Sequence, residues 1–487
     1  MSTQDQMSLA ATLENLPLSR KHLTIWAMAS MGFFIEAIDL TVVGAVLPVL
    51  KTHFDLGSFS MGFISNAALA GYMIGVAMVG ILADRFGRAR MMRVTILVFT
   101  ILTIISAFAW NAESFAALRF FAGIGIGGEA ALLTPYIIEM MPKKYRGRLA
   151  GLGDTFFTVG LPVATLIGLA VIPLSDNGWR WALALAGLPA LYVLFMRRNV
   201  PESPRWLELH GQGEEASRIV AKMGGKWRPA TEPARTADAQ TSQPAYGFWQ
   251  AIRTVWSRPL ASRTARIWGT WFFLQMVYYT FLLWLPSMLV DRGYSLLDSL
   301  GYTFIMNAAA IFGGVSMSFV QETRLGRRYT LVVLFGLSIL AAIAFSLAGS
   351  SLTIVLAGSA LSFLMNGCFA VIYTLTPESY PTAIRSSGQG CASMFGKVGA
   401  LIGPIAVGAA LPMVHMSGVF VGAAVALTFC LICVLGMRET RGRSVDDEVP
   451  TDDQLVTDDL RAAGAPAMGA EPSAKALGSA VEADERA

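Results

Sequence analysis

The chain predicts an all-α membrane protein, with twelve transmembrane helices in two pseudo-symmetric six-helix bundles. Three observations carry that expectation. The 487 residues are 54% hydrophobic and only 14% charged, whereas soluble domains average about 25% charged residues. The apolar residues fall into runs of about 20, the length that crosses a bilayer. Charged motifs recur at an offset of 239: "DRFGR" at Asp84 with "TRLGR" at Thr323, and "EMMPKKYR" at Glu139 with "ESYPTAIR" at Glu378. The second pair shares E-x-x-P-x-x-x-R. Glu202 in "PESPR" answers Glu439 in "RETRG" at 237. Repeated halves are a common build of membrane transporters.

The spans expected in chain order are 23–50, 60–83, 92–110, 113–140, 148–172 and 179–197. After a polar interval come 266–290, 300–320, 328–348, 352–376, 385–410 and 416–437. The first carries two acids, Glu36 and Asp39, in "FFIEAIDLTVV". The second ends in "DRFGR", and the fourth opens its polar motif at Arg119. The seventh holds Gln275, Tyr278 and Tyr279, the eighth Asn307, the tenth Asn366 and Tyr373, and the eleventh Lys397. Small residues in "GYMIG", "GIGIGG" and "GALIG" allow close helix approach in spans two, four and eleven.

Cations fix the orientation. Arg20, Lys21, Arg85, Arg88, Lys143, Lys144, Arg146, Arg324, Arg327, Arg385 and Arg438 crowd one set of flanks. The other set holds only Lys51, Arg180 and Arg292. The positive-inside rule then puts both termini in the cytoplasm of a cell (inner) membrane protein. The expected organisation is a cytoplasmic segment 1–22, a bundle 23–197, a cytoplasmic loop 198–265, a bundle 266–437 and a disordered acidic cytoplasmic tail 438–487. Short amphipathic helix is expected at the start of the loop, and flexible linker in "RPATEPARTADAQTSQPA".

Cys368, Cys391, Cys430 and Cys433 all lie in apolar stretches without metal-ligand or disulfide spacing. No nucleophile–base arrangement, phosphate loop or metal cluster is present, so no enzyme activity, metal or cofactor is expected, and no nucleic-acid partner. The expected partners are a small-molecule substrate, protons and the lipid bilayer.

Glu36 and Asp39 stand three apart and share a helix face. A charge at a helix centre costs about 2.5–3.5 kcal/mol on insertion scales, so a functional role is the default reading. A carboxyl in low dielectric, beside a second one, can hold and release a proton. Asp39 is read as the main carrier and Glu36 as its tuner; a structural ion pair or a wet helix end is the alternative. Lys397 needs an anion or a water-filled cavity. Substrate carboxylate is the preferred partner, with Asp154 or Glu129 as rivals. Gln275, Tyr278, Tyr279, Asn307, Asn366 and Tyr373 are weaker substrate-binding candidates, since such residues also glue helices together.

The motifs "GILADRFGRARM", "RFFAGIGIGGE" and "PESPRW" resemble those of the major facilitator superfamily over about residues 20–440. "EAIDLTVVGAVLP" and "SMFGKVGALIGP" resemble helices one and eleven of its aromatic acid:proton symporters and nicotinate-type transporters, and "PESPRW" also resembles sugar porters. Glu36 stands where that pattern has Asp, and Lys397 where it has Arg. The resemblance implies alternating access by two rocking bundles, monomeric function, and an Arg119 that faces the first-helix acid. An arginine reaching to an interface is the alternative for Arg119.

The resemblance also implies a cytoplasmic gate. Asp84, Arg85, Gly87 and Arg88 would join Glu139, Arg146 and Glu202, and the second half offers Arg324, Arg327, Glu378, Arg385 and Glu439. Thr323 occupies the repeat position of Asp84, so the second latch lacks that acid. The function expected is proton-coupled import of a small organic anion, with aromatic and heterocyclic monocarboxylates as candidates. Sugar or polyol symport, proton-driven efflux and a non-transporting sensor are the alternatives.

Overall fold

Inside a bilayer every backbone N–H and C=O must be satisfied within its own segment, which leaves helices for apolar runs of this length. The computed structural model describes residues 8–188, 196, 200–227, 248–380 and 384–440, and contains no strand among them. For a few of these, Arg146 and Asp154 included, the backbone alone is described. The expected linker 228–247, much of span 179–197 and the tail from 441 lie outside the described residues.

A short helix, α1 (Leu9–Glu14), precedes the first bundle. Then come α2 (Arg20–His53), α3 (Ser58–Phe86), α4 (Arg88–Ser106), α5 (Ala112–Met140), α6 (Arg146–Val171) and α7 (Gly178–Ala186). Two short helices follow on the polar interval, α8 (Pro204–Leu209) and α9 (Gly213–Lys222), and then α10 (Phe248–Val255). The second bundle contains α11 (Arg258–Asp291), α12 (Leu296–Val320), α13 (Gly326–Leu347), α14 (Ser351–Glu378) and α15 (Arg385–Leu435).

One boundary differs from the sequence reading by more than four residues. α11 begins at Arg258 rather than 266, with Pro259 suited to its first turn. The last two expected spans, 385–410 and 416–437, are two helices run together in α15 and separated by a kink where His415 takes a left-handed φ of 54°. The segment before the first bundle is also more than a leader. Leu9 and Leu13 are buried, and Glu14 accepts from the Lys143 backbone N–H at 3.1 Å and pairs with Arg205 at 3.5 Å.

Small residues set the packing. A Cβ on Gly71 or Gly75 of α3 would collide with the Phe120 or Ile124 carbonyl of α5. One on Gly123 or Gly127 of α5 would collide with the Ala68 or Tyr72 carbonyl of α3. The two four-residue glycine spacings thus interlock and fix the face that Tyr72 presents. α15 lies on α11 in the same way, through Gly396, Gly399 and Gly403.

The cation-rich flanks of the sequence form one end of the molecule, here the basic end; the other is the far end. Between the halves, α2 meets α11, α3 meets α15 and α6 meets α12. Towards the far end, Gly44 abuts the Leu282 and Leu283 backbone, and Gly62 lies against Pro404 and Ile405. Asn66 Nδ2 donates to the Leu401 carbonyl at 2.6 Å, and Lys51 pairs with Asp291 at 2.5 Å.

Candidate functional site

α2 and α5 run in opposite directions, and α4 packs against α5. Their polar residues meet in the first half. The Arg119 guanidinium grips Asp39 with both ends: Nη2 donates to Oδ2 at 2.5 Å and Nη1 to Oδ1 at 3.1 Å. Thr103 of α4 donates to Asp39 Oδ1 and accepts from Arg119 Nη1 at 3.0 Å. Asp39 is 1% exposed and Arg119 is fully buried. This planar two-point geometry is the strong form of an ion pair, and it fits an ionised Asp39. Burial of an unpaired charge would cost far more. Thr103 completes the triad, and sequence reading missed it. Its one signal is a polar residue in the apolar run "ILTIIS".

Glu36, one turn nearer the basic end on α2, is also buried. Glu129, at the end of "RFFAGIGIGGE", is fully buried against Thr95 of α4, whose Oγ1 lies 2.5 Å from its Oε2. α4 thus supplies a threonine to each of two buried carboxyls, Thr103 to Asp39 and Thr95 to Glu129.

Lys397 sits in the second half, on α15. Its ammonium donates to the Tyr279 hydroxyl at 2.5 Å. It also lies over two rings, 4.5 Å from the Tyr279 centroid and 4.6 Å from that of Tyr72. Tyr72 belongs to α3, so this cluster spans the two halves. Cation–π contacts of this kind hold an ammonium where water is scarce. Tyr72 was not among the expected residues; it lay hidden in "GYMIG", where the glycines drew attention to packing alone.

The other substrate candidates fall into two groups. Gln275 is buried one turn from Tyr279, its Nε2 beside the space left by Gly396, and its Oε1 has no hydrogen-bond partner. Tyr278 packs edge-on against Tyr279 and Phe369. These adjoin Lys397. Asn307 instead donates to Thr165 Oγ1 at 2.9 Å across the halves, and Asn366 to the Ser362 carbonyl of its own helix. Tyr373 packs edge-on against Trp271 and is 40% exposed. The contacts described for these three are with other residues than Lys397.

The basic end carries two matching networks, one per half. Gly87, at φ 99°, turns the chain into α4, and Gly326, at φ 73°, turns it into α13. Left-handed backbone and the adjacent carboxylates leave no room for a side chain there. Glu202 accepts from the Ala89 and Arg90 N–H groups at 2.9 and 3.2 Å. Glu439 accepts from Arg327 and Arg328 N–H, both at 2.9 Å. Each acid binds the orphan donors of a helix N-terminus. Arg88 pairs with Glu139 at 2.9 Å, and Arg327 with Glu378 at 2.7 Å. Ser203 donates to Glu139 and Thr440 to Glu378.

The expected asymmetry between the latches does not hold. Glu322 pairs with Arg327 at 3.1 Å, taking the part that Asp84 plays towards Arg88 at 3.5 Å. The acid has moved by one position, which motif alignment at a fixed offset cannot see. The Asp84 side chain is 74% exposed, so its contact with Arg88 is the weaker of the two that Arg88 makes. Arg85 and Arg324 are exposed; Arg85 lies over the Phe86 ring, and no ion pair is seen for either among the described residues. Arg385 is half-buried and lies near enough to act on Glu378. The Arg146 side chain lies outside the described residues.

Comparison with known proteins agrees with this architecture. The family described as "Sugar (and other) transporter" matches residues 18–449. The chain is 35% identical to the "Niacin transporter NiaP" of Acinetobacter baylyi, over 82% of this chain and 90% of that one. It is 31% identical to the "Putative niacin/nicotinamide transporter NiaP" of Bacillus subtilis, over 87% and 98%. Among solved structures it resembles a partially occluded inward-open form of the xylose transporter XylE from E. coli. The TM-score there is 0.71 at 18% identity, covering 88% of this chain and all of that one. The chain is therefore a multi-pass, twelve-helix membrane transporter, not an enzyme, and it belongs to the sugar (and other) transporter family of the major facilitator superfamily.

Proposed function

We propose that this transporter is a proton-coupled symporter. It imports a small organic anion, an aromatic or heterocyclic monocarboxylate of the niacin type, across the inner membrane. It works as a monomer with both termini in the cytoplasm. The observation that carries the substrate class is Lys397, an intramembrane ammonium held between Tyr72 and Tyr279 where the two halves meet. Niacin is a pyridine ring bearing one carboxyl group. The ammonium offers that carboxylate a charge-assisted bond, and the tyrosines offer its flat ring a face. A neutral sugar can accept a hydrogen bond from the ammonium but carries no charge to pair with it.

Asp39 and Arg119 support the coupling. With the far end packed shut and the basic end taken as cytoplasmic, the conformation described is the one that has delivered its cargo inward. There Asp39 is ionised and closed on Arg119. In the outward-facing state a proton from outside would neutralise Asp39, release Arg119 and loosen α2 from α5, so that the loaded carrier can close outside and turn inward. A ligand shifts such an equilibrium only by its difference in affinity for the two states. Proton and substrate together supply that difference. The networks at Glu202 and Glu439 tie helices within each half, so the halves move as rigid units.

The test is thermal stabilisation of the purified protein by nicotinate, benzoate, succinate and xylose. Nicotinate and benzoate are expected to raise the unfolding temperature, and xylose to leave it unchanged. Lys397→Gln is expected to weaken nicotinate at least about tenfold, because hydrogen bonds to charged groups contribute about 1.5–3 kcal/mol. Stabilisation by xylose alone would move the reading to sugars. Unchanged nicotinate affinity in Lys397→Gln would remove Lys397 from the site.

A further inference from the structure

Glu129 is a buried acid that the coupling pair leaves unused. It lies ten positions beyond Arg119 on α5, about 15 Å nearer the basic end, and is fully buried. Its Oε1 faces Gly32 of α2 and has no hydrogen-bond partner. Among the described residues no cation pairs with it. α4 brings only the Thr95 hydroxyl, α3 brings Val79 beside Gly128, and the charged group that acts on it from α2 is another acid, Glu36. A carboxylate placed so would be a buried charge without compensation.

The hydrogen bonds point to the neutral acid. Thr95 has one hydroxyl hydrogen and three oxygens around it: Glu129 Oε2 at 2.5 Å, Met92 O at 2.9 Å and Met91 O at 3.0 Å. A threonine in a helix commonly gives that hydrogen to a preceding carbonyl. The short contact is then satisfied only if Glu129 donates. Oε1 is left as a bare carbonyl oxygen, a far cheaper group to bury unpartnered than a carboxylate.

Gly32, Glu36 and Asp39 follow one another along α2 towards the far end. The acid that contacts Gly32 is therefore displaced from Asp39 along the route to the basic end. We propose that Glu129 is a second proton-binding site of the transport cycle, holding a proton while Asp39 is closed on Arg119. The proton that leaves Asp39 is taken up at Glu129 by way of Glu36. It is later released to water at the basic end, so Glu129 passes once per cycle through the ionised form.

The inference rests on the coupled-transport reading but not on the substrate. Infrared spectra of purified protein in lipid are expected to show a carboxylic-acid C=O band near neutral pH. That band should change on a pH jump and be missing in Glu129→Gln. The amide keeps a donor for Thr95, so this variant should fold, which its elution and unfolding temperature check. In vesicles with an imposed pH gradient, Glu129→Gln is expected to lose concentrative nicotinate uptake. The exposed control Glu113→Gln should keep it. A band insensitive to Glu129→Gln, or one that never responds to pH, would overturn the proposal. So would full accumulation by Glu129→Gln. Failure of the wild type to move nicotinate would count against the substrate class, while the infrared result still decides the proton site.

Discussion

At the scale of single residues, the molecule turns on an acid and a guanidinium that are both out of water. Removing one partner of a buried pair strands the other, at a cost of about 3–5 kcal/mol, whereas removing both can be close to neutral. Asp39→Asn and Arg119→Gln should therefore each lower the unfolding temperature more than the double variant does. Simple addition of the two losses would mean that the pair is not coupled. The two residues were legible in the sequence because charge inside an apolar run is expensive and so conspicuous. Thr103, Thr95 and Tyr72 were not, because threonine and tyrosine are ordinary in membrane helices and gain meaning only from the carboxyl or ammonium across from them. Asn307 shows the converse: a polar residue marked as a substrate candidate is spent on a bond between helices.

At the scale of helices, the apolar periodicity located the spans well, and the largest misplacement has a local cause. The polar first turns of α11, from Arg258, extend a helix that hydropathy alone starts at 266, whereas His415 breaks α15 within the gap left between the last two expected spans. Helix pairing across the halves was beyond the sequence. Lys51 of α2 and Asp291 of α11 read as ordinary flanking charges, yet they pair at 2.5 Å. They stand 240 apart, close to the repeat offset, because α2 and α11 are equivalent helices that face each other. The pair is about one-third exposed on both sides, and such bridges contribute about 0–1 kcal/mol. Lys51→Gln should therefore bias the far end towards opening by up to about fivefold. The measurement is the rate at which Ile405→Cys reacts with an impermeant maleimide added from outside, with the four native cysteines replaced. An unchanged rate would exclude this pair from the far-end closure.

At the scale of the whole molecule, the two halves share their mechanics and divide their chemistry. The basic-end networks repeat almost atom for atom, from Arg88–Glu139 to Arg327–Glu378 and from Glu202 to Glu439. The buried charges do not repeat. At the offset of 239, Tyr278 stands for Asp39, Gly358 for Arg119 and Cys368 for Glu129, while Thr158 stands for Lys397. The repeat was readable because latch motifs are charged and contiguous. The division was also present in the sequence, but it shows only when the structure assigns each charge its neighbours. On the proposed reading, the first half carries protons and the second supplies the cation for the anion, coupled through their shared interface. The most direct test of that account is nicotinate accumulation in vesicles of the purified protein under an imposed pH gradient, acidic outside. The wild type is expected to concentrate nicotinate and to stop when a protonophore is added, and Asp39→Asn to lose accumulation while retaining part of its nicotinate exchange. Undiminished accumulation in Asp39→Asn would contradict it.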